Sequence, residues 1–419
     1  MLRLRQNRHH IHSAIRVRSR LLSLRDGILS SKSISLILSL SIIAFMITFV
    51  ADLIVTSHVA HRITMNFQDS SRAEMLAKSG QNLGAFLLAI DYGLDLTMKE
   101  TVKQPLTDST GDIWTMLNEI PFGGEESNML TMIVDMFGLS DFNHRDVIQK
   151  LRDLGGSFTL HTEDETSRIN LSMLQSSRMG SEVIRALNLL FSCPVEQRFL
   201  EDKGYSADEM AYRVFDFIDI DKKVRVQSGL SSENGPYEKN DPPYKAINHP
   251  LESVDQIRLV TGWDYQIHAV FSPFITVFPI PNQYSNFTRG ELAKKPFLNI
   301  NTVSRELLQC LFPEMTTDCY ENFVRTFTAD QEARKVMASN KLGVEKFLGE
   351  SLCYEKQDDE DRSRWFGVAS NTFRIKSVGK SGDTQKVIES VIQRLSPQFM
   401  KTNKRGTAYD VLYWKNHSG

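Results

Sequence analysis

Apolar and polar positions change their spacing several times along the chain, and each change marks an element. From Ile34 to Ala51 (ISLILSLSIIAFMITFVA) no residue is charged, and Leu53-Ile54-Val55 carry the apolar run past Asp52. Such a stretch reaches the length needed to cross a bilayer as a helix. No Pro or Gly interrupts Ser30 to Gln68, so one long helix is predicted. Over residues 69–92, Ala73, Leu76, Ala77, Gly80, Leu83, Gly84, Leu87 and Leu88 recur at helical spacing, as expected of a continuation that packs against a sheet. Residues 93–156 break into short amphipathic pieces: DIWTMLNEI, MLTMIVDMFGL and DVIQKLRDL.

SFTLHT at Ser157–Thr162 alternates like a strand, and EDETS then turns the chain. Helices are expected at Met179–Phe191, Ala207–Ile218 and Leu251–Leu259, with a Gly-, Pro-, Asn- and Ser-rich connection from Asp219 to Pro250. FITVFP at Phe274–Pro279 is strand-like. FLNINTVSRELLQCLF runs from an extended segment into a helix that Asn301 or Thr302 can cap, and residues 320–351 continue helical. In the tail, NTFRIKSVGKSG, VIESVIQRL and AYDVLYW read as three antiparallel strands with a turn at Gly379–Gly382.

Strands that bracket a helical block indicate the α+β class, an antiparallel sheet interrupted by a large inserted helical domain. The expected divisions are residues 1–33 as a basic head and 34–55 as a transmembrane helix. Residues 56–168 then hold the helix continuation, a connecting segment and the first strand. The inserted helical domain is placed at 169–365 and the closing strands at 366–419.

Charge gives the apolar helix a direction. Residues 1–33 hold eight Lys and Arg against Asp26 alone, a net +7, so a total of −2 leaves the rest of the chain at −9. Cations before an apolar span stay cytoplasmic, which predicts a single-pass, N-in anchor with the body outside. A hydrophobic fraction of 41% and a charged fraction of 24% exclude a disordered or multi-spanning chain. An acidic body also argues against nucleic acid as a partner.

Cys193, Cys310, Cys319 and Cys353 all follow the anchor, in an expected oxidising compartment. Cys310 and Cys319 are near enough in sequence to pair, Cys193 in LLFSCP also fits a buried free thiol, and no connectivity can be deduced. No nucleophile elbow, P-loop, HExxH or dinucleotide fingerprint occurs, so no enzyme is expected.

Asp219 and Asp221 form a D-x-D at a helix end, and Glu233, Asn234 and Asp241 follow in an irregular loop. Ca²⁺ takes six to eight hard oxygens in loose geometry, so such a loop suits it, although the spacing is not that of an EF-hand. A Ca²⁺ site and a solvated acidic loop stand side by side at this point. LNINT at Leu298–Thr302 and RLVTGW at Arg258–Trp263 resemble helix-hairpin-helix DNA modules, without the second hairpin glycine or a basic patch.

The ordered set AKSGQNLGAFLL (Ala77–Leu88), EDETSRINL (Glu163–Leu171), FDFIDID (Phe215–Asp221), PPYKAINHPLESVDQIRLVTG (Pro242–Gly262), FITVFP, FLNINTVSRELLQCLFP (Phe297–Pro313) and the NTFRI…VLYW tail resembles type II secretion system protein K, the large minor pseudopilin. The resemblance implies a pilin-like fold, with the long N-terminal helix laid over the sheet. It also implies a place at the tip of the periplasmic pseudopilus, with minor pseudopilins I and J, the major pseudopilin and secreted substrates as partners. The bacterial inner membrane is the implied location. The implied role is to initiate filament assembly and support export of folded proteins across the outer membrane. Family members bind calcium in the helical domain, so the resemblance implies Ca²⁺ at Asp219, Asp221 and Glu233.

One position departs from the family pattern, and a second from that of the major pilins. Prepilin peptidase cuts after a glycine, and here Ser33 occupies that place, so the cut is expected between Ser33 and Ile34. The fifth residue after it is Leu38 rather than the glutamate of major pilins. Protein K resembles this chain in that respect, and an unpartnered carboxylate in lipid would be costly. The alternatives are a membrane-anchored periplasmic DNA-binding protein and a type IV pilus tip protein.

Overall fold

A computed structural model describes residues 31–103, 106–123, 155–176, 179–194, 197–221, 223–225, 232–279, 296–322, 341–355, 361–395 and 409–418. The basic head before residue 31, the two amphipathic pieces at 129–139 and 146–154, and residues 323–340 of the expected helical continuation lie outside them. By contacts the chain divides into Met1–Gln68 and Asp69–Gly419.

One helix, α1 (Ser31–Thr101), runs through both units. In the first unit every side chain described from Ile34 to Val55 is exposed, including Leu36, Ile43, Phe45, Ile47 and Phe49. Ser39, Ser41 and Thr48 donate their hydroxyls to the carbonyls of Leu36, Ile37 and Phe45 at 2.8–2.9 Å, which satisfies these three hydroxyls inside the apolar run. A helix of this length and composition can cross a membrane.

In the second unit α1 becomes amphipathic, burying Ala73, Leu76, Ala77, Leu87 and Leu88. Its small residues permit close approach to the sheet. A Cβ on Gly379 would sit 2.0 Å from the Ala73 carbonyl oxygen, and one on Gly80 2.0 Å from Ser377 Oγ. Gln81, buried on the same face, donates from Nε2 to the carbonyls of Ile375 (2.9 Å) and Ile388 (2.7 Å), tying helix to sheet.

The sheet has strand order β1-β2-β7-β8-β9. Its members are β1 (Phe122–Gly123), β2 (Ser157–Asp164), β7 (Thr372–Ser381), β8 (Thr384–Arg394) and β9 (Tyr409–Ser418), all antiparallel. The β7–β8 turn is the two residues Gly382 and Asp383, with Gly382 at φ +54°. Thus Gly379 is not a turn residue but a mid-strand contact with α1. Between sheet and helix lie two apolar clusters, Leu76, Leu87, Phe122, Phe158 and Leu160 in one and Ala85, Leu88, Trp114, Phe373, Ile375 and Ile392 in the other.

Residues 165–371 intervene between β2 and β7, which are neighbours in the sheet. They include α2 (Gly180–Phe191), α3 (Gln197–Glu201), α4 (Ala207–Ile218), α5 (Tyr265–Phe271), α6 (Arg305–Leu311) and α7 (Lys341–Leu352). Two short parallel pairs join them: β3 (Ile169–Asn170) with β4 (Ile275–Thr276), and β5 (Leu298–Asn299) with β6 (Phe366–Gly367). The core of these elements is continuous with Val391 of β8, and Phe278 meets Tyr413 of β9 at 5.7 Å between ring centroids. The α+β class, with a long helix on an antiparallel sheet and a helical block between its strands, is therefore as the pattern indicates.

Three local expectations are corrected. The helix expected over Leu251–Leu259 is a 3₁₀ turn at Val254–Leu259, started by Ser253 accepting from Asp255 N. The cap of α6 is Ser304, accepting from Leu307 N at 3.2 Å, because Asn301 and Thr302 are engaged elsewhere. The cysteines pair as Cys193–Cys310 and Cys319–Cys353, so neither a Cys310–Cys319 bridge nor a free Cys193 thiol exists. Cys310 lies on the buried side of α6, where the end of α2 presents Cys193.

Candidate metal centre

Helix α4 begins in good order, with Ser206 accepting from Glu209 N at 3.1 Å and acidic residues in its first turn. Its other end is electrostatically unusual. Asp216 is in the last turn, Asp219 follows as the cap residue and Asp221 comes two residues later. The last carbonyls of a helix carry partial negative charge, so carboxylates there repel and a cation is favoured.

Among the described residues, one carboxylate oxygen from each of Asp219, Asp221 and Glu233 lies within 4.8 Å of the other two, so the three residues nominated from sequence come together. Asp219 and Glu233 are buried, each 5% exposed, whereas Asp221 is exposed. Glu233 is held in place by its neighbour: Asn234 Oδ1 accepts from Ala246 N at 3.0 Å, and Asn248 N donates to the Phe217 carbonyl at 3.1 Å. Among the described residues, both oxygens of Glu233, Oδ1 of Asp219 and Oδ1 of Asn248 are buried without a hydrogen-bond partner. Buried carboxylate oxygens in that state are costly.

The electrostatics reflect the crowding. Burial first, then the neighbouring Asp219, Asp216 and Asp221, push the Glu233 carboxyl up to about 7. Burial outweighs the pull of Arg225 and raises Asp219 to about 6. Asp221 is held below its usual range by the hydrogen bond from Arg225 and by the Lys223 N–H. Sequence reasoning had missed Asp216 and Arg225. Asp216 accepts from the main-chain N–H of Arg225 at 2.9 Å, and the Arg225 guanidinium bridges Asp219 (2.6 Å) and Asp221 (2.7 Å). The FDFIDID stretch contains Asp216 one turn before Asp219, and that spacing was the available signal.

An all-oxygen, carboxylate-rich set suits a hard cation. Two ligands on opposite sides of one Ca²⁺, each at about 2.3–2.6 Å, are about 5 Å apart, which matches this separation. A second carboxylate group, Asp91, Asp95 and Asp108, has a similar spread. Its centre is filled by Arg394, paired with Asp91 at 3.2 Å, with Asp108, and with the Ser370 carbonyl at 2.7 Å. That group reads as a structural ion cluster.

The EDETSR and LNINT motifs, in contrast, meet at the junction of sheet and helical block. Asp164, at the end of β2, accepts from Thr166 N (2.8 Å) and Asn299 Nδ2 (3.1 Å), and from the hydroxyls of Thr302 and Ser370. Glu165, fully buried, is shared by Arg168, Arg374 and Thr276. LNINT therefore fastens the two crossings of the chain. The RLVTGW hairpin is equally ill placed for phosphate: the Tyr205 ring lies 2.6 Å from where a Cβ on Gly262 would be, and the Asp264 carboxylate caps α5.

Residues 167–280 match the family model for type II secretion system (T2SS), protein K. A type II secretion system protein K of Aeromonas hydrophila is 22% identical over 197 residues, 46% of this chain and 53% of that protein. The chain thus spans about half the length of the relative it matches. In fold, the chain is similar to a chain of the crystal structure of the GspK–GspI–GspJ complex from the enterotoxigenic Escherichia coli type 2 secretion system. The TM-score is 0.53 at 18% identity, over 85% of this chain and 99% of the other. Family model, relative and fold point the same way, and the resemblance to type II secretion system protein K carried by the sequence motifs is borne out.

Proposed function

We propose that this protein is a minor pseudopilin of the type II secretion system. It would sit at the tip of the periplasmic pseudopilus with minor pseudopilins I and J, initiate filament assembly and support export of folded proteins. The observation that carries this reading is a protein K domain at residues 167–280 set within a long-helix-over-sheet fold shared with a subunit solved together with I and J. The role is structural rather than catalytic. The exposed apolar helix fits a single inner-membrane pass with residues 1–33 cytoplasmic, and the two disulfides fit a periplasmic body. Prepilin peptidase would cut between Ser33 and Ile34, in the first turn of α1.

Asp219, Asp221 and Glu233 are the proposed calcium ligands. The unpartnered buried oxygens of Glu233 and Asp219 support this, because a divalent cation would satisfy them and offset the helix C-terminus together. Bound there, calcium would tie the end of α4 to the loop carrying Glu233. The DNA-binding reading is disfavoured by the carboxylate at the α5 N-terminus and the covered hairpin.

The test is to express the full-length chain with a prepilin peptidase and companion pseudopilins I and J, and to purify it from solubilised membranes. Co-purification of I and J, with an intact mass lacking residues 1–33, is expected. An uncut chain recovered alone would overturn the reading, and association only with type IV pilins would move it to a pilus tip.

A further inference from the structure

The proposed calcium ligands already hold a cation of the protein's own. Arg225 Nη1 donates to Asp219 Oδ2 at 2.6 Å and Nη2 to Asp221 Oδ2 at 2.7 Å, so its planar fork spans two of the three ligands. The fork covers only part of the cluster. Among the described residues, neither oxygen of Glu233, which is 5% exposed, nor Oδ1 of Asp219 has a hydrogen-bond partner. Among the described residues, four carboxylates, counting Asp216, gather around one guanidinium, with Lys223 also acting on Asp221, so negative charge remains in excess. A divalent ion bound by both aspartates would lie beside the positive guanidinium directed at the same carboxylates, and the two cations repel each other there.

The geometry also separates what must move from what can stay. The Arg225 main-chain N–H is anchored on Asp216 Oδ2 at 2.9 Å, independently of the side chain. The side chain is one-third exposed, and its guanidinium carbon lies 4.4 Å from the centre of the Phe215 ring. It can therefore swing into water without unfolding the segment that carries it.

We propose that Arg225 is a built-in competitor for the calcium site, occupying Asp219 and Asp221 when calcium is absent and displaced when it binds. Arg225 thereby sets the calcium concentration at which the site fills. The inference rests on the reading of Asp219, Asp221 and Glu233 as calcium ligands. Competition follows from linkage: whatever stabilises the ion-free state lowers apparent affinity by the same free energy.

The experiment is isothermal titration of CaCl₂ into the full-length protein in detergent, for wild type, Arg225→Ala, Arg225→Lys and Glu233→Gln, with thermal unfolding in chelator alongside. Arg225→Ala is expected to bind calcium at least about tenfold more tightly, the scale of one lost charge-assisted hydrogen bond. Arg225→Lys, which keeps the charge but loses the fork, should fall between the two. In chelator Arg225→Ala should melt below wild type, and saturating calcium should close that gap. Equal or weaker binding by Arg225→Ala, with wild type still binding, would overturn the competitor role and leave the calcium reading standing. Absence of binding to wild type would overturn both. If the alanine variant fails to fold without calcium, the affinity of Arg225→Lys decides, and a value no tighter than wild type counts against the proposal.

Discussion

At the scale of single residues, two buried carboxylates illustrate opposite conditions. Asp164, 2% exposed, is saturated with donors from three separate stretches of chain, so it acts as a fastening. Replacing it with Ala strands those donors in a dry site, and Asp164→Ala should lose about 3 kcal/mol in urea unfolding. A loss below about 1 kcal/mol would mean that water replaces the carboxylate. Glu233 is also buried but, among the described residues, lacks hydrogen-bond partners, which is the condition of a group waiting for a ligand. Both lie in hydrophilic stretches, and only the folded arrangement distinguishes them.

Among elements, the pairing of α1 with the sheet is set by small residues on both sides, Gly80 on the helix and Gly379 on β7. The strand that leads to the helical block, β2, carries a charge-dependent contact. His161 lies between Glu119 (2.9 Å) and Glu163 (3.0 Å), and Glu163 also pairs with Arg168. Burial pushes Glu163 up, but the His161 hydrogen bond and the Arg168 charge outweigh it and hold the carboxyl near 2, below its ordinary 4.5. The Glu163 hydrogen bond raises His161 above 6.5 despite its burial. The depressed carboxylate contributes stability above pH 4.5, lost as pH falls toward 2. The raised imidazole contributes below pH 6.5, lost as pH rises through its folded value. Both contributions coexist between pH 4.5 and 6.5. A melting-temperature profile should be highest in that window, and Glu163→Gln should flatten both limbs. Parallel profiles for wild type and variant would refute the coupling.

For the whole molecule, the two disulfides close loops of very different span, Cys193–Cys310 at a separation of 117 residues and Cys319–Cys353 at 34. A cross-link restricts the unfolded chain more when its loop is longer, so the first should contribute about 5 kcal/mol and the second about 4 kcal/mol. Cys193→Ser with Cys310→Ser should therefore lower the unfolding midpoint more than Cys319→Ser with Cys353→Ser. The reverse order would show that the larger loop keeps residual structure when unfolded. The long bridge also joins α2 to α6, elements far apart in the chain.

The sequence by itself determined what depends on local composition and period. The uncharged run from Ile34 favours a membrane-length helix, alternation marks β2 and β7, and charge asymmetry predicts which way such a helix would face. It also brought forward Asp219, Asp221 and Glu233, because hard oxygens on an irregular loop follow directly from residue type. Contacts between distant segments were decided by tertiary structure alone. Cys310 pairs with Cys193 rather than nearby Cys319, and Asn301 and Thr302 stand in a junction around Asp164 and Asn299 rather than capping α6. Arg225 meets the acidic cluster only once α4 has ended and the chain has turned back on it. Local pattern records which face of an element is apolar, but the partner of a buried polar group is fixed only when the chain closes around it.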